Sequence, residues 1–372
     1  MNSNNNAKRG SRPPAPASAR GQAARGWPAP TFLPVGGRHR MAYRLVGAAS
    51  GEPWLLLHGG PGGACHPGLL QPLDLSRQRA IAPDQRGCGA SRPRGCTQGN
   101  HTAALVADLE ALRQHLGLER WSLLAGSWGT VVALAYARQH PKRVQRVVLR
   151  AAFALSRREI AGLVMPSRRV QGRLGSEALW PSAAGAAVSA VLARLRHLLQ
   201  SGTTGVAAVR VARRWQLLES AGAAAGMRRA LRHLAATPGS GPALAAARRE
   251  WTALQRRQRR AVARARRPAV HRADRAALRA CRIQCHYLLH RGFVPPGGLD
   301  HAVRVLARAG VPVDWVHGRF DAICPPRNSR RWAAVGARER ALVTLTEPFS
   351  GHLGHEPAML AALRQRVRGA RS

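Results

Sequence analysis

A chain of 372 residues with 45% hydrophobic content has room for one large α/β domain and an insertion. Six cysteines with no C-x-x-C pair argue against a disulfide framework and for a reducing compartment. The net charge of +42, with Lys8 and Lys142 as the only lysines among 59 basic residues, would suit a polyanion binder. No nucleic-acid motif or interleaved aromatic platform accompanies it, so solvated arginine faces account for it more simply.

Residues 1–26 hold no acidic residue and are rich in Asn, Arg, Pro, Ala and Ser, which predicts a disordered basic tail. Neither a signal-peptide apolar region nor a run of membrane-spanning length appears, and a cytoplasmic protein is expected. Strand-like runs follow at 41–46, 54–57 and 79–82, and 102–115 reads as an amphipathic helix with Leu105, Leu109 and Leu112 on one face. A further strand at 121–125 leads into a helix-like stretch at 131–138, and 144–149 resumes the strand pattern. From Ala151 to about Pro296 an Ala, Arg and Leu pattern predicts helices alone. Strands and helices then alternate to the end, which predicts a mostly parallel sheet flanked by helices. The division is a tail at 1–26, core at 27–150, an inserted helical cap at 151–298 and core again at 299–372.

Two turns carry chemistry. The strand at 121–125 stops at Gly126, Ser127, Trp128 and Gly129, a strand-to-helix turn that exposes a serine Oγ. Ala125 stands where that motif ordinarily has glycine. The strand at 54–57 runs into His58, Gly59, Gly60, Pro61, Gly62 and Gly63, whose backbone N–H groups suit an oxyanion. A phosphate cradle would need the P-loop lysine and Ser/Thr, which are missing. Backbone N–H groups of Gly60 and Trp128 are the expected pair of donors, with no metal or other cofactor.

After the strand-like 311–316 the chain turns at Gly318 and reaches Asp321. After the strand-like 341–345 it reaches Gly351 and His352. The order Ser127, Asp321, His352, each just past a strand end, is that of an α/β-hydrolase triad. Asp314 falls inside a strand pattern and reads as a structural carboxylate. His355 is the rival to His352 as base. Cys281, Cys285 and His286 have poor spacing for a metal site.

The strings HGGPGG at 58–63, DQRGCGAS at 84–91, GSWG at 126–129, ALAYARQHP at 133–141, HGRFDAICP at 317–325 and SGHLGHEP at 350–357 together resemble the prolyl iminopeptidases of the α/β-hydrolase fold. The resemblance runs from about Trp27 to the C-terminus and weakens in the middle. It implies a serine peptidase that releases N-terminal proline or another small residue from small peptides with a free N-terminus, through an acyl-enzyme. It also implies that His352, directly after Gly351, is the base, since His355 stands where the family has an aromatic residue.

Family caps carry two acidic residues that hold the substrate's α-amino group. Glu219, in Arg214-Trp215-Gln216-Leu217-Leu218-Glu219, matches the first; Gln284, in Arg282-Ile283-Gln284-Cys285-His286-Tyr287, replaces the second. An amide there weakens amine capture, because charge-assisted bonds are about twice as strong as neutral ones. Altered amide or ester specificity is therefore one alternative reading, and a basic polyanion-binding protein on a hydrolase scaffold is another. The basic run 256–267 reads as an exposed polar helix or as a modified lid.

Overall fold

A computed structural model describes residues 27–165, 187–200, 205–267 and 270–369. The expected tail at 1–26 and parts of the expected cap lie outside them. A short antiparallel ribbon of β1 (Thr31–Pro34) and β2 (Arg40–Tyr43) precedes a seven-stranded sheet. Its strands are β3 (Leu45–Gly47), β4 (Glu52–Leu57), β5 (Gln78–Ile81), β6 (Trp121–Gly126), β7 (Val144–Arg150), β8 (Val313–Val316) and β9 (Val343–Thr346). They lie in the order β3-β5-β4-β6-β7-β8-β9, with β3 antiparallel to β5 and every other pair parallel.

The helices are α1 (Thr102–His115), α2 (Trp128–Gln139), α3 (Arg157–Val164), α4 (Val188–Gln200), α5 (Val206–Ala236), α6 (Gly241–Ala265), α7 (Arg272–Leu289), α8 (Gly298–Arg308), α9 (Arg327–Arg338) and α10 (Pro357–Arg368). Helices α3 to α7 lie between β7 and β8 in sequence, with no strand among the described residues there.

Alternation along the central strands sorts the core into two faces. Leu55, Leu57, Leu123, Ala125, Val147, Leu149 and Trp315 join one cluster with side chains of α1, α2, α8 and α9. Trp54, Leu56, Leu124, Val148 and Val316 join the other, covered by Met359, Leu363 and Val367 of α10. Strand order reverses between β4 and β6, so the loops after their C-terminal ends diverge and leave a crevice between them. That crevice is where the serine turn and the glycine loop emerge.

The single strand expected at 41–46 is two. The chain changes partner at Arg44, whose N–H donates to Ala82 O while its side chain donates to Pro28 O and reaches Asp84. Residues before it pair with β1 and residues after it with β5.

Candidate active site

Ser127 sits at φ 55° and ψ −125°, a conformation that costs a non-glycine residue energy and persists only where neighbours enforce it. The enforcement is visible. Ser127 N–H donates to Arg150 O at 2.9 Å, and Ser127 O accepts from Thr130 N and Thr130 Oγ1. A Cβ at Gly129 would meet Leu57 O at 2.3 Å, and one at Gly126 would meet the Arg150 guanidinium at the same distance. A small residue is therefore a packing requirement against backbone at Gly129, whereas at Gly126 the Arg150 side chain would have to move. The N-terminus of α2 follows at once, and neither the Trp128 nor the Gly60 N–H has a partner among the described residues.

The glycine loop is braced by Gln85, which donates to His58 O at 2.9 Å and accepts from Trp128 Nε1 at 2.9 Å. Its own N–H donates to His58 Nε2. This one buried glutamine ties the loop after β4 to the residue after the serine. Asp84 beside it accepts the N–H groups of Cys65 and Ala90.

Asp321 and His352 are brought together by the loops after β8 and β9. His352 Nδ1 lies 2.8 Å from Asp321 Oδ2, while Asp321 Oδ1 accepts the N–H groups of Ile323 and Cys324 at 2.8 and 3.0 Å. Burial disfavours the Asp321 carboxylate, but His352 and His317 outweigh it and hold the carboxyl below its usual range. Helix α5 presses on both loops at Gly226, where a Cβ would meet Phe320 O at 2.7 Å and Gly351 Cα at 3.1 Å.

Ser127, His352, Gly59, Gly60 and Glu219 line one cavity of about 460 Å3. Cys324 lines the same cavity as Ser127, and burial pushes its thiol well up. Glu219 faces the cavity from α5, and desolvation raises its carboxyl to about 6 against the hydrogen bond from Gln284. Gln284 on α7 is buried and is not among the cavity-lining residues; its Nε2 donates to Glu219 Oε1.

Asp314 is buried in β8 and accepts from Thr344 Oγ1. His355 lines the cavity wall, 3.7 Å from Glu250, with burial lowering its imidazole. Cys281, Cys285 and His286 bond to three separate carbonyls, of Ala212, Leu192 and Asn100. The basic run lies on the C-terminal half of α6 and the two residues after it, mostly exposed, but Arg257 lines the cavity together with Leu254.

Sequence reasoning missed two residues that shape the histidine loop. Glu356, buried, accepts the Gly351 and Leu353 N–H groups on either side of His352 at 2.7 and 2.9 Å. Desolvation raises its carboxyl to about 7. Arg150, at the end of β7, donates to His352 O. Only their positions, four residues after a candidate histidine and at a strand end, were signals.

The glycine loop, serine turn and sheet order define an α/β hydrolase, and the model of that fold matches residues 52–356. A thermophilic esterase from Thermogutta terrifontis superposes with TM-score 0.51 at 18% identity, over 91% of this chain and 96% of that one. A proline iminopeptidase of Xylella fastidiosa is 32% identical over 334 residues, 89% of this chain and 93% of its own length. A probable proline iminopeptidase of Leptolyngbya boryana is 30% identical, covering 89% and 91%. The chain belongs to the proline iminopeptidase family. No helix among the described residues is long and apolar enough to cross a membrane.

Proposed function

We propose that this protein is a serine aminopeptidase that removes an N-terminal proline, or another small residue, from short peptides. The observation that carries the reading is the Asp321–His352 hydrogen bond, with His352 in one cavity with a strained Ser127 and with Glu219, the one carboxylate among its described lining residues. In this reading Asp321 holds the imidazole by Nδ1, leaving Nε2 to take the Ser127 proton. Ser127 Oγ attacks the carbonyl, and the oxyanion receives the Gly60 and Trp128 N–H groups at the positive end of α2. His352 then protonates the departing nitrogen, and water attacks the acyl-enzyme with the same histidine as base. No step calls on a metal or other cofactor.

Glu219 would receive the substrate ammonium, with Gln284 orienting it. Helices α3 to α7 would form the cap, closing over the crevice. Six free cysteines, five of them buried, support a cytoplasmic setting. Hydrolysis of other amides or simple esters is a second reading, favoured by Gln284 standing where a second carboxylate would complete the amine site.

The test is labelling by a fluorophosphonate followed by turnover of prolyl, alanyl and ester substrates. Ser127→Ala and His352→Ala are expected to lose roughly three or more orders of magnitude in kcat, since triad members act as a unit. His355→Ala is expected to keep most activity. Loss in His355→Ala as deep as in His352→Ala, with both folded, would reassign the base.

A further inference from the structure

A second cavity, of about 630 Å3, adjoins the one that holds Ser127 and Glu219, and the two share Gly59, Arg150, Arg257, His352, Leu353 and His355 as a common wall. Glu219 lines only the first cavity, and Glu250 and Gly354 line only the second. We propose that the second cavity is the leaving-group subsite of this hydrolase, and that Arg257 on α6 binds the free α-carboxylate of the departing amino acid or short peptide.

The inference rests on the reading of Ser127, His352 and Glu219 given above and fixes the direction of the peptide. With the ammonium end at Glu219, the chain beyond the scissile bond runs out on the opposite side of the serine. In the acylation step the Ser127 Oγ–carbonyl bond forms and the carbon–nitrogen bond breaks. The electron pair leaves with the nitrogen, which takes its proton from His352. The nitrogen must therefore lie against His352, which lines both cavities while Ser127 and Gly60 line the first, so the chain beyond that nitrogen has the second cavity to enter.

Charge selects what the space accepts. Among the described lining residues Arg150 and Arg257 contribute two guanidinium groups, against the one carboxylate of Glu250. Burial lowers both His66 and His355, so near neutral pH they add no compensating or extra charge. Arg257 is only loosely engaged: its Nη2 forms an ion pair with Glu250 at 3.7 Å, longer than a hydrogen bond, and its Nε donates one long 3.4 Å bond to Ala253 O of its own helix. The planar fork is left for a carboxylate, the geometry in which arginine binds best.

The experiment compares kcat/KM for prolyl-glycine with that for prolyl-glycinamide at low ionic strength, together with prolyl-p-nitroanilide and its N-blocked form. The wild type is expected to favour the acid over the amide by about tenfold, the scale of one charge-assisted contact. Arg257→Gln should bring that ratio close to one, and Arg257→Lys should keep part of it. Arg259→Gln, on an exposed residue of the same helix lining neither cavity, should leave it unchanged. Arg257 has a side chain 58% exposed, and thermal unfolding checks that its variants are folded. A ratio near one in the wild type, or one that Arg257→Gln does not move, overturns the subsite while hydrolysis of the anilide upholds the aminopeptidase. Absence of turnover on every aminoacyl substrate overturns both.

Discussion

Glu219 is an acid in a desolvated wall whose only described hydrogen-bond partner is an amide, and that pairing sets its response to pH. With its carboxyl raised to about 6, it is protonated in acid and becomes a carboxylate above that value. The preference for a free over a blocked N-terminus, read as a ratio of kcat/KM, should therefore be full above pH 6 and decline below it. The sign for stability is opposite: as pH rises from 4.5 to about 6, the unfolded chain loses a proton that the folded chain keeps, so the folded state loses stability. Glu219→Gln should flatten both profiles. Gln284→Glu should raise the free-amine preference, by roughly tenfold if the second carboxylate contributes about 1.4 kcal/mol to ammonium binding. A ratio unmoved by either variant would make Glu219 a structural residue. Both positions could be found in the sequence, but their bond could not: 65 residues separate them, and only the packing of α5 on α7 brings them together.

At the scale of elements, the serine turn shows how tightly α2 is set against β4. Gly129→Ala places a Cβ 2.3 Å from Leu57 O, and backbone oxygen cannot step aside as a side chain can. A loss of about 1–3 kcal/mol in urea unfolding is expected, with activity falling further because the serine turn shifts. Gly162→Ala in α3 meets nothing within 4 Å and should instead stabilise by about 0.5–1 kcal/mol. Equal effects from the two would show that the close approach at Gly129 does not constrain the turn. The elements around this turn were legible because apolar runs there stop at or just before glycine: 54–57 and 121–125 fall within β4 and β6, and α1 has the expected limits. Strand β1 went unread, since Thr31–Pro34 offers two half-buried apolar residues before a proline and takes its form from pairing with β2. The change of sheet at Arg44 was equally hidden, because pattern alone does not say which neighbour a strand chooses.

Over the whole molecule the arginines divide between structure and field. Several finish the fold by donating to backbone carbonyls of other segments: Arg146 to Val367 O, Arg368 to Leu73 O, and Arg282 to Leu199 O. Arg213 makes a buried two-pronged pair with Asp274 that joins α5 to α7, where the carboxyl is held down to about 2, chiefly by that bond. Others, such as Arg259 and Arg260, stand exposed, and their charge adds to a surface potential rather than to a fixed contact. A chain of net charge +42 attracts polyanions whatever its function, so binding alone does not separate a nucleic-acid partner from a byproduct of composition. The slope and the consequence do. If the charge acts only as a field, anisotropy with labelled RNA or heparin should show affinity falling steeply and linearly in log–log form with salt, and saturating polyanion should leave kcat/KM for prolyl-p-nitroanilide unchanged. Affinity that persists at high salt, or turnover altered at saturation, would assign the basic surface a built partner and return the polyanion reading to contention. The field outcome is favoured by the site itself, where a carboxylate and a hydrogen-bonded histidine are gathered in one cavity for a task that polyanion binding does not need.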